Sequence, residues 1–295
     1  MLYIIEDMIN GILMGSIYGL TAMGLTIIFG VLKVINFAHG SLLMVCMYTT
    51  YWAVTLTGIH PYLALAIVIP AMFIFGYYLQ AIVIKPIFIA EKNVREPITV
   101  IIVTTGIWYI LDNSALLVFG PQYRALANNP LQGKMLEIAG MLISLPKFYG
   151  FITALVTAGT IHWFLQKTVM GRAIRATSMD REAASLMGIN QYRIYNIAFG
   201  IGAATTGIAA VTLLPFYNVF PTVGVLFDIK CFIIVVLGGL GSISGALLGG
   251  IIIGLIESVG PQFMTATWTE AIVYGLFLLV LFVKPSGLFG QKADW

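Results

Sequence analysis

The sequence predicts an all-α, polytopic integral membrane protein with about eight or nine transmembrane helices. First, 60% of the 295 residues are hydrophobic and only 9% are charged, whereas soluble domains carry about 25% charged residues. Second, apolar runs long enough to cross a bilayer recur along the chain. Third, most prolines stand between these runs, where helices begin and end. A surface this apolar needs lipid around it, because a soluble domain must present a polar surface to water.

The spans follow from length, because a helix needs about 20 apolar residues to cross the hydrocarbon. A shorter apolar piece lies at about 222–239, and the stretches near 31–40 and 222–245 are expected to be interrupted or re-entrant. The full-length spans are predicted near 10–30, 41–57, 61–84, 97–119, 148–166, 194–214, 244–260 and 267–284. Residues 1–10 lack the basic start of a cleavable signal peptide, so the first run is expected to be a retained span.

Composition also argues against several classes of function. The net charge is +3 without a basic cluster, so no nucleic-acid partner is indicated. The three histidines are far apart in the sequence and form no metal-ligand spacing. Cys46 and Cys231 both lie in apolar runs, where we expect small core residues rather than a disulfide framework.

Basic residues predict the orientation, because loops rich in Lys and Arg stay in the cytoplasm. They concentrate in the segments 85–96 and 167–193 and in the tail. The residues are Lys85, Lys92, Arg95, Lys167, Arg172, Arg175, Arg181, Arg193, Lys284 and Lys292. If the short 222–239 piece crosses the membrane, these segments share the cytoplasmic face, the amino terminus lies outside and the chain crosses nine times. If that piece is re-entrant, the parity changes.

Two stretches break the pattern of spans: VLKVINFAHG at 31–40 and VLGGLGSISG at 236–245. Unwound backbone is tolerated at membrane depth only where protein or a water-filled cavity satisfies it, and discontinuous helices point to a transport path. The alternative is that both breaks are interfacial turns at the cytoplasmic face. The candidate path residues are Asn36, His39, Gly40, Ser41, Gly238, Gly239, Gly241 and Ser242.

Ionisable residues inside spans are costly and often functional. Asp112 lies toward the outer part of its span and Glu257 lies near a span end. Both are expected to be helix-end or bundle-facing groups rather than proton relays. His39 could be a polar wall group of the path or a structural hydrogen-bond donor.

The segment 171–190 is the longest charged, amphipathic stretch of the chain. Thr177 followed by Asp180 matches the start pattern of a helix, and Gly188 suits the position just past its end. The predicted helix, about 178–187, presents a small apolar surface suited to a groove on another protein. That surface consists of Ala183, Ala184, Leu186 and Met187. A basic loop that only fixes topology, or a helix lying on lipid headgroups, is the alternative.

ATP cannot be bound here by a Walker-type phosphate loop. That motif requires Gly-Lys followed by Ser or Thr, and the Gly-Lys pair at 133–134 is followed by Met135. Any ATP-driven role therefore needs another chain.

Several motifs resemble a known family. Glu182-Ala183-Ala184 with Gly188 looks like the EAA loop of bacterial ABC importer permeases. The stretches GLTIIFGVLKVINFAHG (24–40), MGRAIRA (170–176) continuing to LMGIN (186–190), VLGGLGSISGALLGG (236–250) and KPSGLFG (284–290) resemble the signatures of LivH-type permeases. They occur in family order over nearly the whole chain. The chain is therefore identified as a member of the LivH/LivM permeases, with residues 1–295 as one permease domain and a coupling loop at about 167–193.

The resemblance implies an importer subunit for branched-chain and other hydrophobic amino acids in the bacterial cytoplasmic membrane. It implies no enzymatic activity and no cofactor in this chain. The implied partners are a second LivM-like permease, two LivG/LivF-like ATPase subunits that bind ATP and Mg²⁺, and a periplasmic or lipid-anchored amino-acid-binding protein. The ATPase contact is expected at Asp180, Glu182, Ala183, Ala184, Leu186, Met187 and Gly188.

Two alternatives remain open. Related permeases carry urea or short amides on the same scaffold, and a fold does not settle a substrate. An ion-coupled secondary transporter would need ionisable groups in the middle of the membrane, for which Asp112 and Glu257 are poor candidates.

Overall fold

The computed structural model describes residues 2–91, 98–126, 131, 133–138 and 140–290. This part of the chain is helical except for one short hairpin and the connecting loops. The helices are α1 (Leu2–Leu32), α2 (His39–Thr57), α3 (Leu65–Leu79), α4 (Lys85–Ala90), α5 (Thr99–Phe119), α6 (Leu145–Lys167), α7 (Val169–Met179), α8 (Arg181–Leu186), α9 (Gln191–Leu213), α10 (Val223–Gly238), α11 (Ile243–Val259) and α12 (Ala266–Val283). Lys92, Arg95, Lys292 and position 97 lie outside the described residues.

Within the described residues, seven continuous helical stretches are long and apolar enough to cross a membrane. The third predicted span is longer than expected: a 3₁₀ turn, α3, a π-helical turn at Gln80–Ile84 and α4 run together over Pro61–Ala90. The first span also starts earlier, at Leu2 rather than near residue 10. The predicted span α2, with 19 residues, and the shorter piece α10, with 16, lie outside the set of seven. Helix α2 follows the first break and α10 precedes the second.

Helix α1 lies at the centre of the bundle, and its side chains Ile17, Leu20 and Met23 are fully buried. Helix α11 packs against α1 through glycines that recur every fourth residue on each helix. A Cβ added to Gly11 would lie 2.9 Å from the carbonyl oxygen of Gly254, so the two backbones touch. Small residues permit this approach in lipid, where close packing rather than the hydrophobic effect holds helices together.

The helix directions follow from these contacts. Gly11 faces Gly254 and Gly19 faces Leu247, so α1 and α11 are antiparallel. The carboxyl end of α1 meets the turn before α11, because Gly30 lies against Gly241. Helix α11 therefore starts at the side of the membrane on which α1 ends.

The short 222–239 piece crosses the bundle. Its preceding segment pairs with the long outer loop: the backbone groups of Arg124 and Val219 exchange two hydrogen bonds of 2.9 Å. Its other end, Gly238, lies against Gly245 at the start of α11. The piece thus connects the two sides of the bundle, which agrees with nine crossings, and the position of the amino terminus outside stays a prediction.

One element was not predicted. The long outer loop contains an antiparallel hairpin of β1 (Met135–Ile138) and β2 (Met141–Ser144), with Met135 paired with Ser144. The hairpin lies between spans, so the all-α class of the transmembrane part is unchanged.

Candidate functional site

The first break returns the chain to membrane depth. Helix α1 ends at Leu32, and Lys33 adopts a left-handed conformation (φ +56°) that reverses the chain. Helix α2 begins at His39, whose Nε2 donates a hydrogen bond of 3.0 Å to the carbonyl of Thr21. Thr21 lies eleven residues before the end of α1, which corresponds to about 16 Å along the helix. The stretch near 31–40 is therefore an interruption at membrane depth, one of the two forms predicted for it.

At this break the side chains of Asn36 and His39 are buried. His39 is 1% exposed and Asn36 is 4% exposed, and the Oδ1 atom of Asn36 accepts a hydrogen bond from the amide of Ala38. Of the two alternatives for His39, the geometry matches a structural donor that fastens the start of α2 to α1. A role in the path remains a prediction for both residues.

Two carboxylates from distant helices hold the start of α2. The Gly40 amide donates to Oδ1 of Asp228 on α10 at 2.6 Å, and the Ser41 hydroxyl donates to Oδ1 of Asp112 on α5 at 2.6 Å. Trp108 donates to the other oxygen of Asp112 at 2.8 Å. The first amides of a helix lack intrahelical partners and carry a partial positive charge, so carboxylates stabilise this end. Asp112 is thus bundle-facing, as expected.

At the start of α2, the backbones of α2 and α10 cross. Gly40 and Gly224 lie so close that a Cβ on either glycine would overlap the other's carbonyl group. A Cβ on Gly40 would also come within 2.7 Å of the Cγ atom of Asp228. Because α10 starts here as α2 does, two interrupted spans meet at membrane depth, and glycine is required at their crossing.

An ion pair lies further along α10. Lys230 and Glu257, on α10 and α11, approach to 2.8 Å. The Lys230 ammonium also lies 3.4 Å from the Tyr18 hydroxyl and 4.8 Å from the centre of that ring. The side chains of Lys230 and Glu257 are 32% and 20% exposed, so this pair is accessible. Glu257 therefore faces the helix bundle, where Lys230 is its cationic partner.

Sequence reasoning missed the importance of Asp228 and of the Lys230–Glu257 pair. Asp228 was hidden in an apolar run, and Lys230 was noted only as preceding the glycine-rich break. The signal that could have found them is an acid and a base two residues apart inside a span, where charges are costly.

The second break is a tight turn. Gly239 and Gly241 have φ values of +103° and +89°, and the Ser242 hydroxyl accepts a 3.1 Å hydrogen bond from the Gly245 amide to cap α11. The tail closes over it, since Leu288 donates to the carbonyl of Leu237 at 2.9 Å. This geometry is that of an interfacial turn, the alternative interpretation.

The predicted path residues therefore form two separate groups. Asn36, His39, Gly40 and Ser41 come together at membrane depth, whereas the Gly238–Ser242 group lies at the level of Gly30, near the end of α1. Whether either group borders a path stays a prediction.

In the segment 167–193, predicted to be cytoplasmic, two short helices replace the single predicted one. Asp180 caps α8, with its Oδ1 atom accepting hydrogen bonds from the amides of Glu182 (2.9 Å) and Ala183 (3.0 Å). The prediction that Thr177 starts this helix was wrong. Thr177 is buried within α7 and donates to the Ala173 carbonyl at 2.9 Å. Packing of that side chain extends α7 to Met179, and the extended backbone of Asp180 separates the two helices.

The tip of this segment is apolar and exposed. Leu186 is 88% exposed, and Met179 and Met187 are each 83% exposed. Ala184, by contrast, is 4% exposed and packs inward, which corrects its assignment to the apolar surface. Gly188 has a φ of +81°, so the predicted left-handed helix end is confirmed.

Helix α7 is fastened to the membrane bundle. The Ser178 hydroxyl donates a 2.7 Å hydrogen bond to the carbonyl of Gly30, close to the end of α1. At the other end of α7, the Thr168 hydroxyl accepts from the Gly171 amide at 2.9 Å and caps the helix. Helix α7 therefore connects the segment that carries α8 to the end of α1.

Comparison with known proteins gives a family and relatives. Residues 8–281 match the family described as "Branched-chain amino acid transport system / permease component". The chain is 31% identical to the high-affinity branched-chain amino acid transport system permease protein BraD of Pseudomonas aeruginosa, over 97% of this chain and 96% of the relative. It is 32% identical to the corresponding LivH protein of Escherichia coli K12, over 98% and 96%. PsaBC from Streptococcus pneumoniae, solved with a Fab, is similar at 14% identity and a TM-score of 0.49, over 94% of this chain and 91% of that chain.

Proposed function

Because this chain belongs to the family of branched-chain amino acid transport permeases, we propose that it is the permease subunit of an ATP-driven importer of branched-chain and other hydrophobic amino acids. It lies in the bacterial cytoplasmic membrane beside a second, LivM-like permease. Two LivG/LivF-like ATPase subunits bind and hydrolyse ATP with Mg²⁺. A periplasmic or lipid-anchored binding protein delivers the amino acid.

The exposed apolar tip of α8 is the observation that carries this proposal. Leu186, the last residue of the six-residue helix α8, and Met187, which follows it, are exposed, and a helix of this length is too short to be stable alone. Large exposed apolar side chains gathered on one surface mark an interaction site. A short helix with an apolar face fits a groove of a partner protein, here the ATPase subunit.

The contacts of α7 supply the mechanical link. When the ATPase subunits close on ATP, α8 moves with them, and α7 transmits the movement through Ser178 and Gly30 to the end of α1. The segment 33–38, which forms the first break, continues from this end of α1. An energy source shifts a conformational equilibrium only through contacts that differ between the two states, and the cytoplasmic loop provides those contacts. Alternating access of the permease pair follows.

The competing proposals differ in substrate or in energy source. A permease for urea or short amides would share every feature described above, since these features do not select a solute. For an ion-coupled transporter, an ionisable group would have to be available at membrane depth. Asp112 accepts two hydrogen bonds and Glu257 pairs with Lys230, so this alternative has less support.

The test is purification of the tagged chain from its native membrane, with identification of the proteins that co-purify. We expect ATPase subunits and a second permease, and leucine uptake by the reconstituted complex when ATP is enclosed. Recovery of the chain alone, with uptake that needs no ATP, would overturn the proposal. Uptake abolished by an uncoupler at constant ATP would favour the ion-coupled alternative.

A matched pair of variants sharpens this test. Leu186→Asp should reduce recovery of the ATPase subunits about tenfold or more, because buried apolar anchors dominate interfaces. Leu142→Asp is the control, since Leu142 is also exposed (52%) but lies in the outer hairpin. Equal recovery of ATPase subunits with both variants would show that α8 does not contact the ATPase subunits.

Bulky replacements at Glu182 or Gly188 should cut uptake while the chain still inserts into the membrane. At Gly188 the cause is the left-handed backbone, which a side chain with a Cβ resists. Initial uptake rates and membrane fractionation measure the two effects separately. Normal uptake by both variants would contradict the role of the loop.

A further inference from the structure

The Lys230–Glu257 pair lies deep in the transmembrane bundle. Lys230 contacts Tyr18 on α1, and Gln262, just after α11, donates a hydrogen bond to Asp7 near the outer end of α1. Tyr18 is eleven residues beyond Asp7, which corresponds to about 16 Å along the helix. The hydrocarbon core is about 30 Å thick, so this pair lies within it.

The accessible side of this pair cannot face lipid. With 32% and 20% of the two side chains exposed, part of each charge would meet hydrocarbon, which is strongly unfavourable. Charged side chains at membrane depth face a bundle interior or a water-filled cavity. The face of α10 and α11 that carries this pair therefore borders the bundle interior formed with the second permease or a water-filled cavity, and not lipid.

We propose that Lys230 and Glu257 form a transit site for the amino acid, in which Lys230 binds the substrate's α-carboxylate and Glu257 binds its α-ammonium group. This inference rests on the proposed function and extends it by assigning a substrate-binding site to two residues of this chain. The pair is closed when the site is empty and opens when the substrate enters between its members.

The exchange of ion pairs leaves the net charge of the site unchanged. Before entry there is one ion pair, and after entry there are two, so the site is neutral in both states. No charge is left unpaired at membrane depth at either stage. Partly buried ion pairs contribute little net stability, so Lys230 and Glu257 can separate, and the amino acid can leave in turn.

The neighbouring side chains suit such a site. Tyr18 contacts the Lys230 ammonium through its hydroxyl and its ring face, and both contacts can persist when Glu257 turns to the substrate. Leu226 lies one turn before Lys230 on the same face of α10 and is 50% exposed. It provides an apolar contact for the substrate's side chain.

The first experiment separates a substrate site from a structural pair. Lys230→Met, Glu257→Gln and the double variant are purified with their partners and reconstituted with ATP enclosed and the binding protein and labelled leucine outside. We expect each of the three to reduce initial uptake about tenfold or more. Recovery of the ATPase subunits should match that of the wild type.

A purely structural pair would give a different result. Replacing both members of a buried ion pair by neutral groups is often harmless, whereas removing one member is not. Restoration of uptake in the double variant would therefore overturn the proposal. If the wild-type complex itself lacks ATPase subunits or leucine uptake, the proposed function fails instead, so the two failures are distinguishable.

Cysteine labelling tests the site without relying on activity. Leu226→Cys and Leu278→Cys are made in a chain with Cys46→Ala and Cys231→Ala; both leucines are 50% exposed, but Leu278 lies on α12. A membrane-impermeant thiol reagent should label position 226, and millimolar leucine should suppress that labelling. Position 278, which lies on α12 away from the pair and is expected to face lipid, should react slowly and without protection. Equal labelling at the two positions, or labelling at 226 that leucine leaves unchanged, would overturn the proposal.

Discussion

The two breaks in the spans differ in sequence and in structure. The first places Lys33, Asn36, His39 and one glycine between apolar runs, whereas the second places four glycines and two serines there. The first rises about 16 Å into the membrane, while the second turns at its edge. At the first, carboxylates 71 and 188 residues away in sequence hold the helix start. At the second, Ser242 and the tail satisfy the backbone locally. Long-range partners, rather than the break itself, permit irregular backbone at membrane depth.

The largest effect is expected at the crossing in the first break. Gly40→Leu would place a side chain against the carbonyl of Gly224 and against Asp228, and neither backbone can withdraw. We expect a loss of about 3 kcal/mol or more, seen as a lower thermal midpoint in detergent and as aggregation. Gly106→Leu is the matched control, since open space surrounds Gly106, and it should leave the midpoint unchanged. A stable Gly40→Leu protein would show that the two spans do not cross here.

An intermediate effect is expected from the carboxylate that holds α2. Asp112→Leu leaves the Ser41 hydroxyl and the Trp108 indole N–H without their acceptor, and each unpaired buried donor costs about 1–3 kcal/mol. Asp112→Asn keeps one acceptor oxygen and should lose less stability. Thermal unfolding of the two variants gives the comparison. If both unfold as the wild type does, the first break needs no distant partner and its contrast with the second disappears.

The smallest effect is expected at the second break. Gly241→Ala must hold an alanine at a φ of +89°, at a cost of about 1–2 kcal/mol, while only the Gly30 Cα atom lies near the added methyl group. The protein should fold, assemble with its partners and keep most of its uptake. A stable variant with uptake reduced tenfold or more would instead place the second break on the path.

Much of the architecture could be predicted from the sequence. The lengths of the apolar runs predicted the seven spans found in the described residues, and Gly188 was assigned correctly to the left-handed helix end. These features depend on composition or on neighbours within a few residues. The Thr177 error shows the limit, because burial of its side chain extended α7 and moved the helix start to Asp180.

The sequence by itself determined the membrane class, the order of the spans and the local helix ends, because helix formation and capping involve groups a few residues apart. Only the tertiary structure decided the depth of each break and the partners of the charges. Asp228 meets Gly40 and Lys230 meets Glu257 through helix packing. A charge inside lipid must find a partner or water, but which partner it finds depends on which helices touch, and no local pattern carries that information.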